Sequence, residues 1–197
     1  MKISGIKQQL KQTDRYSIFV EGKYAFSLSE SALLSSGLAT GAELTKEQVN
    51  DFKRLSNEDK LYNRTLRYVA LRPRSRWEVA FYLERKQASP ALIEDILNKL
   101  SKLKFIDDET FAKTYVADRQ LLRPASRRKM ILDLKKKRVA EEIIQKVTEL
   151  DDHDALQAVI ERKRRQPKYQ DDLKLMQYLA RQGFNYQDIK AALADQD

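Results

Sequence analysis

Arg72-Pro73-Arg74-Ser75-Arg76, followed by Val79, Leu83, Lys86 and Ile93, returns 51 residues later as Arg123-Pro124-Ala125-Ser126-Arg127, followed by Met130, Leu134, Lys137 and Ile144. A looser third copy places Leu175, Leu179, Gln182 and Ile189 at an offset of 45 from Met130, Leu134, Lys137 and Ile144. Repeats of this length, apolar at helical spacing throughout, cannot bury their faces singly. They imply an array in which each unit packs on its neighbours. The fold class expected is mainly α: an elongated tandem array of three three-helix repeats.

The first 44 residues break that pattern. Tyr16–Val20 and Tyr24–Leu28 are aromatic and β-branched runs separated by Glu21-Gly22-Lys23, the signature of a hairpin. Ile3 and Ile6 make Met1–Gln8 a candidate third strand. Ser29 can cap a short helix ending near Gly37, and an extended piece around 41–44 follows. The division expected is a small β-hairpin-containing module over 1–44, a linking helix with repeat 1 over 45–106, repeat 2 over 107–150 and repeat 3 over 151–197.

Helix starts are marked residue by residue. Thr45 with Gln48 and Ser75 with Glu78 are capping boxes, and Ser89-Pro90 and Asp107-Asp108 open two further helices. Between Thr45 and Pro73 no strong breaker occurs, so one or two helices fill that interval. Tyr62, Phe105, Phe111, Tyr115, Tyr178 and Phe184 fall at core spacing and read as packing.

Charge gives the first hint of a partner. The net is +9, distributed as +1 over 1–58, +6 over 59–106, +3 over 107–150 and −1 over 151–197. Such an excess favours polyanionic or acidic surfaces. The densest cluster is Arg123, Arg127, Arg128, Lys129, Lys135, Lys136, Lys137 and Arg138. With Met130, Ile131 and Leu134 facing inward, Arg128, Lys129, Lys135 and Lys136 gather on the outer face of one helix. The plain alternative is a solvated surface. Arg72, Arg74 and Arg76 surround Pro73 at a helix connection, suited either to an anionic partner or to local capping. Trp77 and Phe81 lie one turn apart, opposite Val79 and Leu83, at the positions Arg128 and Leu132 hold in the next repeat. They form a candidate hot spot for a protein partner if they are accessible. Arg162–Arg165 is a further basic tract, read as secondary contact or as a solvated helix end.

Chemistry is absent from the pattern. There is no Gly-rich phosphate loop and no nucleophile–base arrangement. With one histidine and no cysteine, zinc is improbable. Asp107 and Asp108 read as caps rather than catalytic carboxylates. No enzyme activity, cofactor or metal is expected. No apolar run approaches a membrane span, and Met1–Lys11 carries no apolar block, so a cytoplasmic protein without a membrane partner is expected.

Leu71-Arg72-Pro73-Arg74-Ser75-Arg76, Leu83 with Lys86, Phe105-Ile106-Asp107-Asp108-Glu109-Thr110-Phe111-Ala112 and Arg119 resemble the RecX regulators of bacterial recombination. So does Tyr178–Phe184 followed by Ile189. The resemblance covers roughly residues 60–194, and the N-terminal module is similar to one that some members carry. It departs where the family often has Lys-Gly or Arg-Gly: here stand Lys86-Gln87 and Lys137-Arg138, and only Gln182-Gly183 keeps the glycine.

The resemblance implies a non-enzymatic regulator in homologous recombination, DNA repair and the SOS response. Its partner would be a RecA filament on single-stranded DNA, whose growth or activity it limits, with weak direct DNA contact and a monomeric chain. Arg119 joins the candidate contact residues on this ground. The alternative is a direct DNA-binding protein of tandem helix-turn-helix-like units.

Overall fold

The computed structural model describes residues 1–194. Its order is three strands and then ten helices: β1 (Ile3–Gln8), β2 (Arg15–Val20), β3 (Lys23–Ser29), α1 (Glu30–Ser36), α2 (Lys46–Ala70), α3 (Arg76–Glu84), α4 (Pro90–Lys102), α5 (Asp108–Leu121), α6 (Arg127–Lys136), α7 (Glu141–Val147), α8 (His153–Arg164), α9 (Asp172–Arg181) and α10 (Tyr186–Ala194). A 3-10 turn at Pro167–Tyr169 joins α8 to α9. The described residues form two compact units, one of 1–71 with 90–92 and the other of 72–89 with 93–194.

In the first unit the strands make an antiparallel sheet in the order β1-β2-β3. Glu21 and Gly22 both take positive φ (50° and 78°), the tight turn whose twist matches the hairpin strands. Ile3, Ile18, Val20, Phe26, Leu28, Leu44 and Val49 form the core, and Phe52 of α2 stacks on Phe26 with centroids 5.5 Å apart. α2 is one continuous 25-residue helix opened by the Thr45–Gln48 capping box, so the interval before Pro73 holds a single helix. A buried pair pins it to the sheet. Arg15 Nη1 meets Asp59 at 2.8 Å, and its Nε and Nη2 donate to the Ser27 hydroxyl and carbonyl. Asp59 in turn accepts the Ser29 N–H at 2.9 Å. Each buried charge is both paired and hydrogen-bonded, which is what makes its desolvation tolerable.

In the second unit the repeat spacing becomes repeated packing. Met130, Leu134 and Ile144 are buried with Phe111, Ala112, Val116 and Val139 between α5, α6 and α7. Leu175, Leu179 and Ile189 are buried with Leu156, Val159, Ile160 and Phe184 between α8, α9 and α10. Val79 and Leu83 are fully buried on α3, as are Ile96, Leu97 and Leu100 on α4 or nearly so, while Ile93 is half-buried. Phe105 departs from expectation. It sits in the loop after α4, where Phe105 N–H closes that helix on the Leu100 carbonyl, and its ring is 45% exposed.

The turns where glycine is missing keep the glycine geometry. Gln87, Arg138 and Gly183 take φ of 60°, 53° and 93° at equivalent positions. The two non-glycine residues accept a left-handed conformation that costs roughly 1–2 kcal/mol. Only Gly183 lacks an alternative, because a β-carbon there would stand 2.8 Å from Ser126 Oγ.

Candidate partner-binding surface

The two Pro-x-Ser segments place α3 and α6 alike. Ser75 and Ser126 are N-caps whose hydroxyls accept from Glu78 N–H and Lys129 N–H. Both helices also receive a carboxylate from the next repeat. Arg76 N–H donates to Asp108 at 2.7 Å, and Arg127 N–H donates to Asp152 at 2.5 Å. Asp107 meanwhile caps its own helix through Thr110 N–H, so the adjacent aspartates divide the work. Burial raises the pKa of both Asp108 and Asp152 above the ordinary aspartate value, against the lowering effect of those N–H donors.

Several sequence candidates are committed inside the molecule. Arg72 forks onto the nearly buried Glu78, which also takes Lys137 Nζ at 2.8 Å. Burial pushes the Glu78 carboxyl up, but the bonds from Arg72 and Lys137 outweigh it and leave its pKa below the ordinary value. Arg76 reaches Glu94, Asn98 and Ser101 on α4. Arg74 is half-buried. Arg119 lies over the Tyr115 ring and faces Asp133, which also holds Lys129 at 3.2 Å. Lys129 therefore turns from the outer face toward a half-buried cluster and does not join Arg128, Lys135 and Lys136 there. In the tract before Pro167, Lys163 sits over Tyr169 and Tyr178, and Arg164 binds the turn carbonyls and Asp172.

What remains exposed and without such a commitment is narrower. Arg123, Arg128 and Lys136 are exposed and meet no carboxylate among the described residues, Arg127 is exposed beside Asp152, and Lys135 holds Glu141 at 2.9 Å. Arg127, Arg128 and Lys135 line an open groove of about 690 Å³ between α6 and the α9–α10 turn. Its apolar part is Ile131, Leu132, Phe184 and Tyr186, of which Leu132 and Tyr186 are 48% and 59% exposed. Tyr186 escaped the sequence reading because a lone aromatic opening a helix resembles packing. On α3, Trp77 and Phe81 occupy the corresponding positions. They stack with centroids 5.5 Å apart, Trp77 half-buried under Lys137 Nζ at 5.8 Å and Phe81 46% exposed. Trp77 is thus accessible in part, as a direct contact requires.

These features define a protein of tandem three-helix repeats, with a small antiparallel sheet module and an exposed basic and apolar groove. Among the described residues no helix is long and apolar enough to cross a membrane, and no three acidic or histidine side chains converge as metal ligands. Family models match over nearly its whole length: the regulatory protein RecX N-terminal domain at 1–45, and the first, second and third RecX three-helix domains at 62–100, 107–147 and 150–193. The chain belongs to the RecX family. It is 32% identical over 149 residues to regulatory protein RecX of Lactobacillus johnsonii, covering 75% of this chain and 55% of that protein. With the Bacillus subtilis protein of the same name it shares 34% over 115 residues, 58% of this chain and 44% of that one. The chain thus spans about half the length of the curated relatives it matches. A crystal structure of regulatory protein RecX superposes with a TM-score of 0.74, at 27% identity and 98% coverage of both chains. RecX from Lactobacillus salivarius shares the fold at a TM-score of 0.59, with 24% identity over 71% of this chain and 96% of that one.

Proposed function

We propose that this chain is a non-enzymatic regulator of a RecA recombinase, which docks on the recombinase filament on single-stranded DNA and limits its growth and activity. The observation that carries the reading is the groove beside α6. Its cation Arg128 has no internal carboxylate, Arg127 lies beside Asp152 at the groove's edge, and the two flank exposed Leu132 and Tyr186. A wall with a net excess of cations beside apolar anchors complements an acidic protein surface with a protruding apolar side chain. Phe81 and Trp77 offer a second, aromatic anchor at the equivalent place one repeat earlier. Family membership supplies the recombinase.

Binding to RecA-coated single-stranded DNA, compared with RecA alone and DNA alone across a salt series, tests the proposal. Filament binding well above that to either component is expected. Charge reversal of Arg128, Lys135 and Lys136 together should weaken filament inhibition and leave the unfolding midpoint nearly unchanged. Naked DNA bound as tightly as the filament would favour the tandem helix-turn-helix reading instead.

A further inference from the structure

We infer that the N-terminal unit holds a separate site, a recess between the sheet and α2 that takes a short stretch of single-stranded nucleic acid. The recess has a volume of about 200 Å³ and is lined by Lys60, Arg64 and Arg67 of α2, the amides Gln9, Gln12 and Asn63, and Tyr24. Its floor is Arg15 and Ser27. Arg15 is spent on Asp59 and Ser27 and is only 5% exposed, so the charges a ligand would meet are those of α2.

Those three cations recur at i, i+4 and i+7, which puts them on one helix face. At 1.5 Å per residue they stand about 6 Å and about 4.5 Å apart along the axis, a row that can follow a phosphate backbone. Like charges at this spacing destabilise a helix, and only Arg67 has an ionic partner. Lys60 and Arg64 meet no carboxylate among the described residues, and Arg67 faces only Asp14 at 3.8 Å, both well exposed. No carboxylate lines the recess, so it is an anion site by composition.

Tyr24 narrows the class of anion. Its ring is 55% exposed and is held edge-on by Phe19 with centroids 6.2 Å apart. A fixed, exposed aromatic beside a row of cations is the combination that binds single strands: phosphates on the row, an unstacked base on the ring. The Gln12 amide supplies donors and acceptors that a base edge or sugar can use, while Gln9 and Asn63, which donate to Ser17 and Asp59, offer their amide oxygens. An acidic peptide would use the cations but leave the ring and amides without a role. A duplex keeps its bases stacked and cannot reach the ring. This site lies wholly within the first unit and does not depend on the filament reading.

The test is fluorescence anisotropy of the full chain with a labelled oligothymidylate of about sixteen nucleotides, at several salt concentrations. Replacing Lys60→Gln and Arg64→Gln together should weaken binding about tenfold. The slope of log affinity against log salt should become shallower by about 1.4, or about 0.7 for each lost phosphate contact. Tyr24→Ala should weaken binding at least about fivefold, and Tyr24→Phe should retain it. The pair Arg64→Gln with Arg67→Gln, both at exposed positions, repeats the charge test if the first pair folds poorly. Unchanged affinity and slope in a folded charge variant would overturn the inference, as would a poly-glutamate peptide or a duplex of matching length competing as well as the single strand.

Discussion

Ser126 Oγ donates to the Gln182 carbonyl at 2.7 Å, locking the start of α6 against the turn that ends α9. Gly183 follows at φ 93°, where an added β-carbon would lie 2.8 Å from the same hydroxyl. Gly183→Ala is therefore expected to cost about 2–3 kcal/mol, from backbone strain plus a displaced hydrogen bond. At the equivalent turns the sign reverses. Gln87→Gly and Arg138→Gly each relieve a left-handed side-chain residue and should stabilise by about 0.5–1 kcal/mol after the added chain entropy is subtracted. Urea unfolding midpoints of the three variants decide this.

Asp108→Ala removes the acceptor from Arg76 N–H and should cost about 1–2 kcal/mol. Asp108→Asn keeps an acceptor and removes a charge that burial disfavours. Because the folded pKa lies above the ordinary 3.8, the native state holds this proton more tightly than the unfolded chain does. The stability contribution of Asp108 is greatest in acid and declines as pH rises from 3.8 through the folded value. Unfolding followed across pH should show the asparagine variant gaining on the parent through that window, with a constant difference above it.

Glu78 behaves in the opposite sense. Arg72 and Lys137 hold its pKa below 4.5 in spite of burial, so its stabilisation is present above 4.5 and is lost as pH falls through the folded value. Both cationic partners are partly exposed, which limits the effect. Glu78→Gln should cost about 1–2 kcal/mol at neutral pH, and thermal unfolding in acid should bring variant and parent together.

Phe81 and Tyr186 separate binding from folding. Both rings are more than 40% exposed, so alanine at either position should shift stability by less than about 1 kcal/mol. If they anchor a partner, each truncation should weaken filament inhibition by about fivefold or more. Trp77→Ala should also lower stability, since its ring is half-buried between Phe81 and Lys137. Inhibition titrations paired with melting curves check all three.

The helical array was legible from short-range chemistry. Caps at Thr45, Ser75, Ser126 and Asp107 act within three residues of their own sequence, and the offsets of 51 and 45 align side chains that the structure buries. The candidate surface was less so. Whether Arg72, Arg76, Lys129 or Arg128 faces solvent depends on Glu78, Glu94 and Asp133, and only packing shows which cations those carboxylates claim. Asp107 and Asp108 look interchangeable in the sequence, yet one serves its own helix and the other a helix of the preceding repeat. Lys60, Arg64 and Arg67 share a helix face by spacing alone. Their meaning waited on the fold, which brings Gln9, Gln12 and Tyr24 to the same recess.

The reach of the capping aspartates also orders the birth of the molecule. Arg76 precedes its acceptor Asp108 by 32 residues, and Arg127 precedes Asp152 by 25. On the ribosome, Ser75 and Ser126 can cap α3 and α6 from within, but the Arg76 and Arg127 N–H groups find their carboxylates only when the following repeat has emerged. Native structure would then advance along the nascent chain one repeat behind the point of synthesis, each unit finished by its successor.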